Sequence, residues 1–292
     1  MSAIDHLLVV GVGLIGGSFA LDLKRQGLVQ RVTGAGRSAA NLVRAHELGI
    51  IDTVAADVAI AARDADLVLL AVPVGAMPAV FAQLAEALPA DALITDVGST
   101  KCDVIAAARA GLGPRIARFV PAHPIAGAER SGAEAARVGL FVGKPLILTP
   151  LAENDAADVA RIEALWRACG AEVARMDARE HDHVFAAVSH LPHLAAFALM
   201  EELAGRPQAS TYFRYAGSGF RDFTRIAGSH PEMWRDIAVA NRGALLDELD
   251  AYIAKLQDVR TLLQQHDGAA LERLFARARA ARREWIGNRN HE

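Results

Sequence analysis

Short, almost uninterrupted apolar runs alternate with longer stretches of helical period through the first 175 residues. The runs "HLLVV" (6–10), "RVTGA" (31–35), "DLVLLAV" (66–72), "ALITDV" (92–97), "RFVPA" (118–122), "PLILTP" (145–150) and "EVARM" (172–176) have the length of strands. Runs without a polar face belong in a mainly parallel sheet covered on both sides by helices. Alanine-rich helical patterns over 14–26, 39–47, 74–88, 99–110 and 154–169 fill most of the gaps. After about Met176 the period changes. "DAREHDHVFAAVSHLPHLAAFALMEELAG" reads as a long helix that Pro192 is predicted to kink or break. The later stretches "HPEMWRDIAVANRGALLDELDAYIAKLQDVRTLLQQ" and "AALERLFARARAARREW" carry no strand pattern. The expected architecture is an α/β domain over 1–175 followed by an all-helical domain over 176–292. No repeat or low-complexity linker marks the boundary.

Composition narrows the partners. The 292 residues are 52% hydrophobic and 22% charged with a net charge of −3, which excludes both a generally basic nucleic-acid binder and an acidic disordered chain. Cys102 and Cys169 are the only cysteines and have no metal spacing, which suits a reducing cytoplasm rather than a disulfide framework. The apolar stretch 7–21 lacks a basic leader, follows Asp5 and is interrupted by four glycines. It reads as strand–turn–helix rather than a signal sequence, and no other run is expected to be long enough to span a bilayer.

Within that stretch Gly11, Gly13 and Gly16 follow a strand and open a helix, with Leu14 and Ile15 between them. The spacing provides a tight turn, a close approach for a pyrophosphate and close helix–strand packing, and so predicts a Rossmann-type dinucleotide site. At the end of the second strand, where an acid usually accepts from the ribose 2′-hydroxyl, the chain has Gly36, then Arg37 and Ser38. A missing carboxylate and an added guanidinium favour NADP over NAD. Val72 and Pro73, Ser99 and Lys101, and His123 follow the carboxyl ends of successive predicted strands, the edge where such sheets bind ligands. His123, flanked by Pro121 and Pro124 in an expected loop, is a candidate general base because a neutral imidazole is available near pH 7.

The motifs "GVGLIGGS", "DVGSTK", "HPIAGAERSG", "SHLPHLAAFAL" and "GFRDFTRIAGSHPEMWRDI", in that order and nearly end to end, resemble the prephenate/arogenate dehydrogenases of tyrosine biosynthesis. The resemblance implies oxidative decarboxylation of a cyclohexadienyl acid, prephenate or arogenate, by a cytoplasmic homodimer paired through its helical domain. It implies His123 as base and Ser99 beside the substrate hydroxyl and nicotinamide. It also implies His193 and Arg225 as substrate ligands, with Ser189, Trp234 and Glu129 as further candidates near the substrate. Some members carry a fused mutase or regulatory domain, for which a chain ending at Glu292 has no room, so feedback through such a domain is not expected.

Several patterns admit a plainer reading. His181, His183, His190 and His193 mimic metal spacing, yet no convincing carboxylate completes a site, so no metal is expected. Trp234 suits a core as well as a pocket wall, and Glu129 suits a solvated loop as well as a partner for Arg225. Arg273, Arg277, Arg279, Arg282 and Arg283 form no clean stripe and fit a solvated helix. A β-hydroxyacid dehydrogenase would need a catalytic lysine on its second domain, where only Lys255 lies. A non-catalytic NADP sensor would have no use for His123, Ser99, His193 and Arg225 together.

Overall fold

In the computed structural model, which describes residues 4–127 and 131–289, the apolar runs become β1 (Ile4–Val10), β2 (Val29–Ala35), β3 (Thr53–Val54), β4 (Leu67–Leu70), β5 (Leu93–Asp96) and β6 (Phe119–Val120). All pair in parallel, in the order β3-β2-β1-β4-β5-β6. Between them run α1 (Leu14–Arg25), α2 (Ala39–Glu47), α3 (Val58–Ala62), α4 (Met77–Leu84) and α5 (Cys102–Leu112). β1 shows why the strands lack a polar face. Leu7 and Val9 join Phe19, Leu23 and Trp166 in one core, while Leu8 and Val10 join Phe81 and Ile105 in the other. β3 and α3 escaped the sequence reading because two and five residues are too few to establish a period.

The predicted strand 118–122 is split. Pro121 has no N–H for a ladder, and there the chain leaves β6 for a second sheet made of β7 (Ala122–Pro124), β8 (Pro145–Leu148) and β9 (Glu172–Arg175). β7 lies antiparallel to β8 with His123 opposite Ile147, and β8 lies parallel to β9. His123 is therefore in a strand and not, as expected, in a loop. The paired backbone holds it.

Beyond α6 (Ala156–Ala168) and β9 the described chain is helical: α7 (Ala178–Phe185), α8 (Leu191–Ala204), α9 (Ala209–Arg214), α10 (Ser218–Thr224), α11 (Pro231–Ala240), α12 (Arg242–Gln264) and α13 (Gly268–Arg289). Pro192 does not break the helix. A π turn over Ala186–His190 widens it ahead of the proline, with the Leu191 N–H reaching back to the Ala186 carbonyl. Residues 178–204 thus form one helix long and apolar enough to cross a membrane, contrary to the expectation that no such run exists outside 7–21. Its His181, Asp182 and His190 are buried in the protein network described below.

Two compact units result, Met1–Ala244 and Leu245–Glu292. Strands stop at Arg175, but the first unit continues because α7 packs on α5 and α11 packs on the turn Val74–Ala76. The second unit contains most of α12 and α13, where Leu256, Leu263, Phe275 and Trp285 are exposed.

Candidate active site

The strand order reverses between β1 and β4, so the crevice at their carboxyl ends is the ligand position of this sheet. Gly11 sits there at φ +100°, and a Cβ on it would lie 2.3 Å from the Ala71 carbonyl oxygen. A Cβ on Gly16 would lie 2.5 Å from the Gly11 carbonyl oxygen, whereas one on Gly13 meets nothing within 4 Å. The three glycines thus make the turn, leave open space and pack the helix on the strand, which is the cradle a dinucleotide pyrophosphate needs. Leu14 and Ile15 begin α1, half-buried, and Val72 and Pro73 are half-buried on the neighbouring rim.

Lys101 corrects the sequence reading. Its ammonium is fully buried, 2.5 Å from Asp96 Oδ2 and 2.7 Å from the Ala122 carbonyl oxygen, and does not face the crevice. Asp96 also accepts from the Gly98 and Ala122 N–H groups at 2.7 and 3.0 Å. This buried pair ties the end of β5 to the start of β7. It fixes the half-buried Ser99 loop on one side and His123 on the other.

A chain of side chains runs back from His123. Its Nδ1 lies 2.8 Å from His181 Nε2, and His181 Nδ1 lies 2.9 Å from Asp182 Oδ1. Asp182 in turn accepts from the Lys101 N–H at 2.8 Å and the Cys102 N–H at 2.9 Å, at the start of α5. Burial opposes its charge, but the hydrogen bonds from His181, Cys102 and Lys101 outweigh burial and hold its carboxyl below the usual range. Asp182 is an acceptor only, so His181 donates from Nδ1 and accepts at Nε2. His123 must then donate from Nδ1, and its Nε2 keeps a lone pair. Burial first, and then the neighbouring charges, push the His123 pKa well below the ordinary histidine value. Phe185 completes the wall, its ring centroid 4.8 Å from that of His123. In the sequence His181 is visible only as part of a histidine cluster with superficial metal spacing, and Asp182 carries no signal of its own.

A second group lies on the π turn and the helices around it. His193 stacks on Trp234 with centroids 3.7 Å apart, and its Nδ1–H donates to the Ser189 carbonyl oxygen at 2.8 Å. Ser189 itself is half-buried. Arg225, exposed just after α10, lies near enough to add its charge to burial in lowering the His193 pKa. Trp234 is therefore tied to the histidine group as well as packed against the core. Asn241, missed in the sequence, donates to the Asp182 carbonyl oxygen at 2.7 Å and lies 3.1 Å from His190 Nδ1. Glu129 falls outside the described residues. Among the described residues no three His, Cys, Asp or Glu side chains converge as metal ligands.

These buried imidazoles carry a pH dependence. Burial is the largest cause lowering the pKa values of His123, His181 and His190, the last to about 4. Unfolded histidines titrate near pH 6.5, so as pH falls from there toward 4 the unfolded chain binds protons that the folded chain refuses. The contribution is whole above pH 7 and shrinks in acid, with His190 alone costing about 2 kcal/mol by pH 5. Urea titrations at pH 7 and 5 should show the lower midpoint at pH 5. Equal midpoints would mean that the imidazoles protonate without opening the fold.

At the far end of the crevice, Ser38 caps α2 by accepting from the Asn41 N–H at 3.2 Å. Arg37 is engaged by Glu232 of α11 through two hydrogen bonds, at 2.9 and 3.1 Å.

A doubly wound sheet with a glycine cradle at its switch point, and an oriented neutral imidazole on the adjoining strand, defines a Rossmann-type, nicotinamide-dependent oxidoreductase. Residues 19–175 match the family described as "Prephenate dehydrogenase, nucleotide-binding domain", and residues 177–277 match "Prephenate dehydrogenase, dimerization domain". The chain belongs to the prephenate dehydrogenase family. It is 40% identical to a cyclohexadienyl dehydrogenase of Zymomonas mobilis, over 97% of this chain and 96% of the relative. It is 37% identical to a prephenate dehydrogenase of Bacillus subtilis, over 94% of this chain and 74% of the relative. The crystal structure of prephenate dehydrogenase from A. aeolicus in complex with hydroxyphenyl propionate and NAD+ superposes with a TM-score of 0.90. It is 35% identical, with 97% of this chain and 98% of that chain covered.

Proposed function

We propose that this chain oxidises and decarboxylates prephenate to 4-hydroxyphenylpyruvate, with His123 as the base. The observation that carries the proposal is the Asp182–His181–His123 chain, which leaves a lone pair on His123 Nε2. Gly11, Gly13 and Gly16 would hold the dinucleotide, whose nicotinamide would supply the acceptor for hydride from the hydroxyl-bearing ring carbon. His123 Nε2 takes the hydroxyl proton, and Ser99 holds that oxygen in place. The bond to the ring carboxylate then breaks, carbon dioxide leaves, and the electron pair enters the ring, which becomes a phenolate. His123 returns its proton to that oxygen, so the reaction consumes none. Aromatisation drives the step forward.

Arg225 carries a planar fork suited to a substrate carboxylate, and His193, fixed by Ser189 and Trp234, is assigned to the same substrate. Arogenate, which carries an amino group in place of the side-chain keto group, is the second reading, supported by the name cyclohexadienyl dehydrogenase for the Zymomonas relative. NADP is favoured over NAD because Gly36 replaces an acid and Arg37 follows it. Residues 1–175 hold the dinucleotide, and 176–292 complete the pocket and form a homodimer in the cytoplasm. Support for the dimer comes from the exposed Leu246, Ile253, Leu256, Leu263, Phe275 and Trp285 on α12 and α13. Assaying both substrates against both cofactors, by nicotinamide absorbance, tests this reading. Prephenate with NADP should give the highest kcat/KM; faster turnover of arogenate would reverse the substrate assignment.

A further inference from the structure

Arg37 and Glu232 stand 195 positions apart and meet as a two-pronged pair. Arg37 follows β2, where dinucleotide enzymes that choose a free ribose place a carboxylate, and Gly36 leaves that place without one. Glu232, in the first turn of α11, brings a carboxylate to the same spot. α11 is held there closely: a Cβ on Gly75 would lie 2.6 Å from Asp236 Oδ2, so the helix rests on the turn that follows Val72 and Pro73. The guanidinium fork that a 2′-phosphate would use is thus engaged by a group of the same sign of charge as that phosphate. With 70% of the Arg37 side chain and 34% of the Glu232 side chain exposed, the pair can open to admit a competitor. A 2′-phosphate must displace Glu232 and then lie beside it, whereas a free 2′-hydroxyl leaves the pair intact and meets an acceptor.

We propose that Glu232 is a specificity-determining residue, supplying from α11 the ribose carboxylate that the end of β2 lacks and so restraining the preference for NADP that Arg37 creates. The proposal rests on the reading of Arg37 as the residue at the cofactor 2′ position. Isothermal titration of the full chain with NADP+ and with NAD+, without substrate, separates the two. In Glu232→Gln the Kd for NADP+ should fall about tenfold, because a competing and repelling charge is gone, while the Kd for NAD+ stays within about twofold or rises. In Arg37→Ala the Kd for NADP+ should rise about tenfold, with NAD+ little changed. If Arg37→Ala weakens NADP+ but Glu232→Gln leaves it unchanged, the proposal fails and the reading of Arg37 stands. If Arg37→Ala leaves NADP+ unchanged, both fall. Both side chains are partly or fully solvated, so neither exchange should shift Tm; scanning calorimetry of each variant checks that the comparison is between folded proteins.

Discussion

His123→Asn should lower kcat by roughly 10²–10⁴-fold while the KM for substrate moves far less. Asparagine carries an amide nitrogen near the place of Nδ1, so it can still donate to His181 Nε2 and keep β7 in register. What it lacks is the second nitrogen. The substrate hydroxyl then has no acceptor for its proton as the ring carbon is oxidised, and the barrier rises with the bound geometry intact. His181→Phe tests the same chain from behind. It leaves a base in place but removes the acceptor that dictates its tautomer, so kcat should fall about tenfold or more. Steady-state kinetics decide the matter. Near-normal turnover in His123→Asn would transfer the role of base to another group.

Lys101→Met should destabilise the protein by about 3–5 kcal/mol, because Asp96 is left as a buried charge without its cation. Methionine fills most of the same volume, so the loss is electrostatic rather than a cavity. The Ala122 carbonyl oxygen loses its donor at the same time. A fall in Tm of roughly 10 °C in scanning calorimetry is the expected size. A lysine that touched the cofactor would behave differently: the variant would keep its Tm and bind the dinucleotide more weakly. That second pattern would restore Lys101 to the crevice.

The contrast between these two residues shows what the sequence could disclose. Gly11, Gly13 and Gly16 are legible because backbone geometry alone demands them, within six consecutive positions and beside a strand. His123 is legible because its neighbours form a motif, although its strand is not. β7 exists only by pairing with β8, more than twenty residues later, and Pro121 masks the change of sheet. Lys101 sits in a recognisable motif at the right edge of the sheet, and nothing local indicates that its side chain turns inward to Asp96. His181 and Asp182 belong to a stretch rich in ionisable groups, where solvated and buried members look alike. Their partners, at Lys101, Cys102 and His123, lie 58 to 81 positions away. The pair Arg37–Glu232 is further still: Arg37 alone reads as a cofactor residue, and Glu232 alone reads as an ordinary surface charge. Periodicity reports which face is buried; it does not report which buried polar groups meet.

The π turn between α7 and α8 bears on how the histidines are aimed. A wide turn holds one residue more than an α-helical turn would, and each residue of an α-helix advances the facing direction by about 100°. Removing a single residue from Ala186–His190 would restore regular winding and leave hydropathy and length almost as before. Because the wide turn takes up the extra residue, the helix beyond it would keep nearly the same facing direction, and His193 would stay against Trp234. The supernumerary residue is thus absorbed within Ala186–His190, a local change of winding rather than a change in where the following helix points.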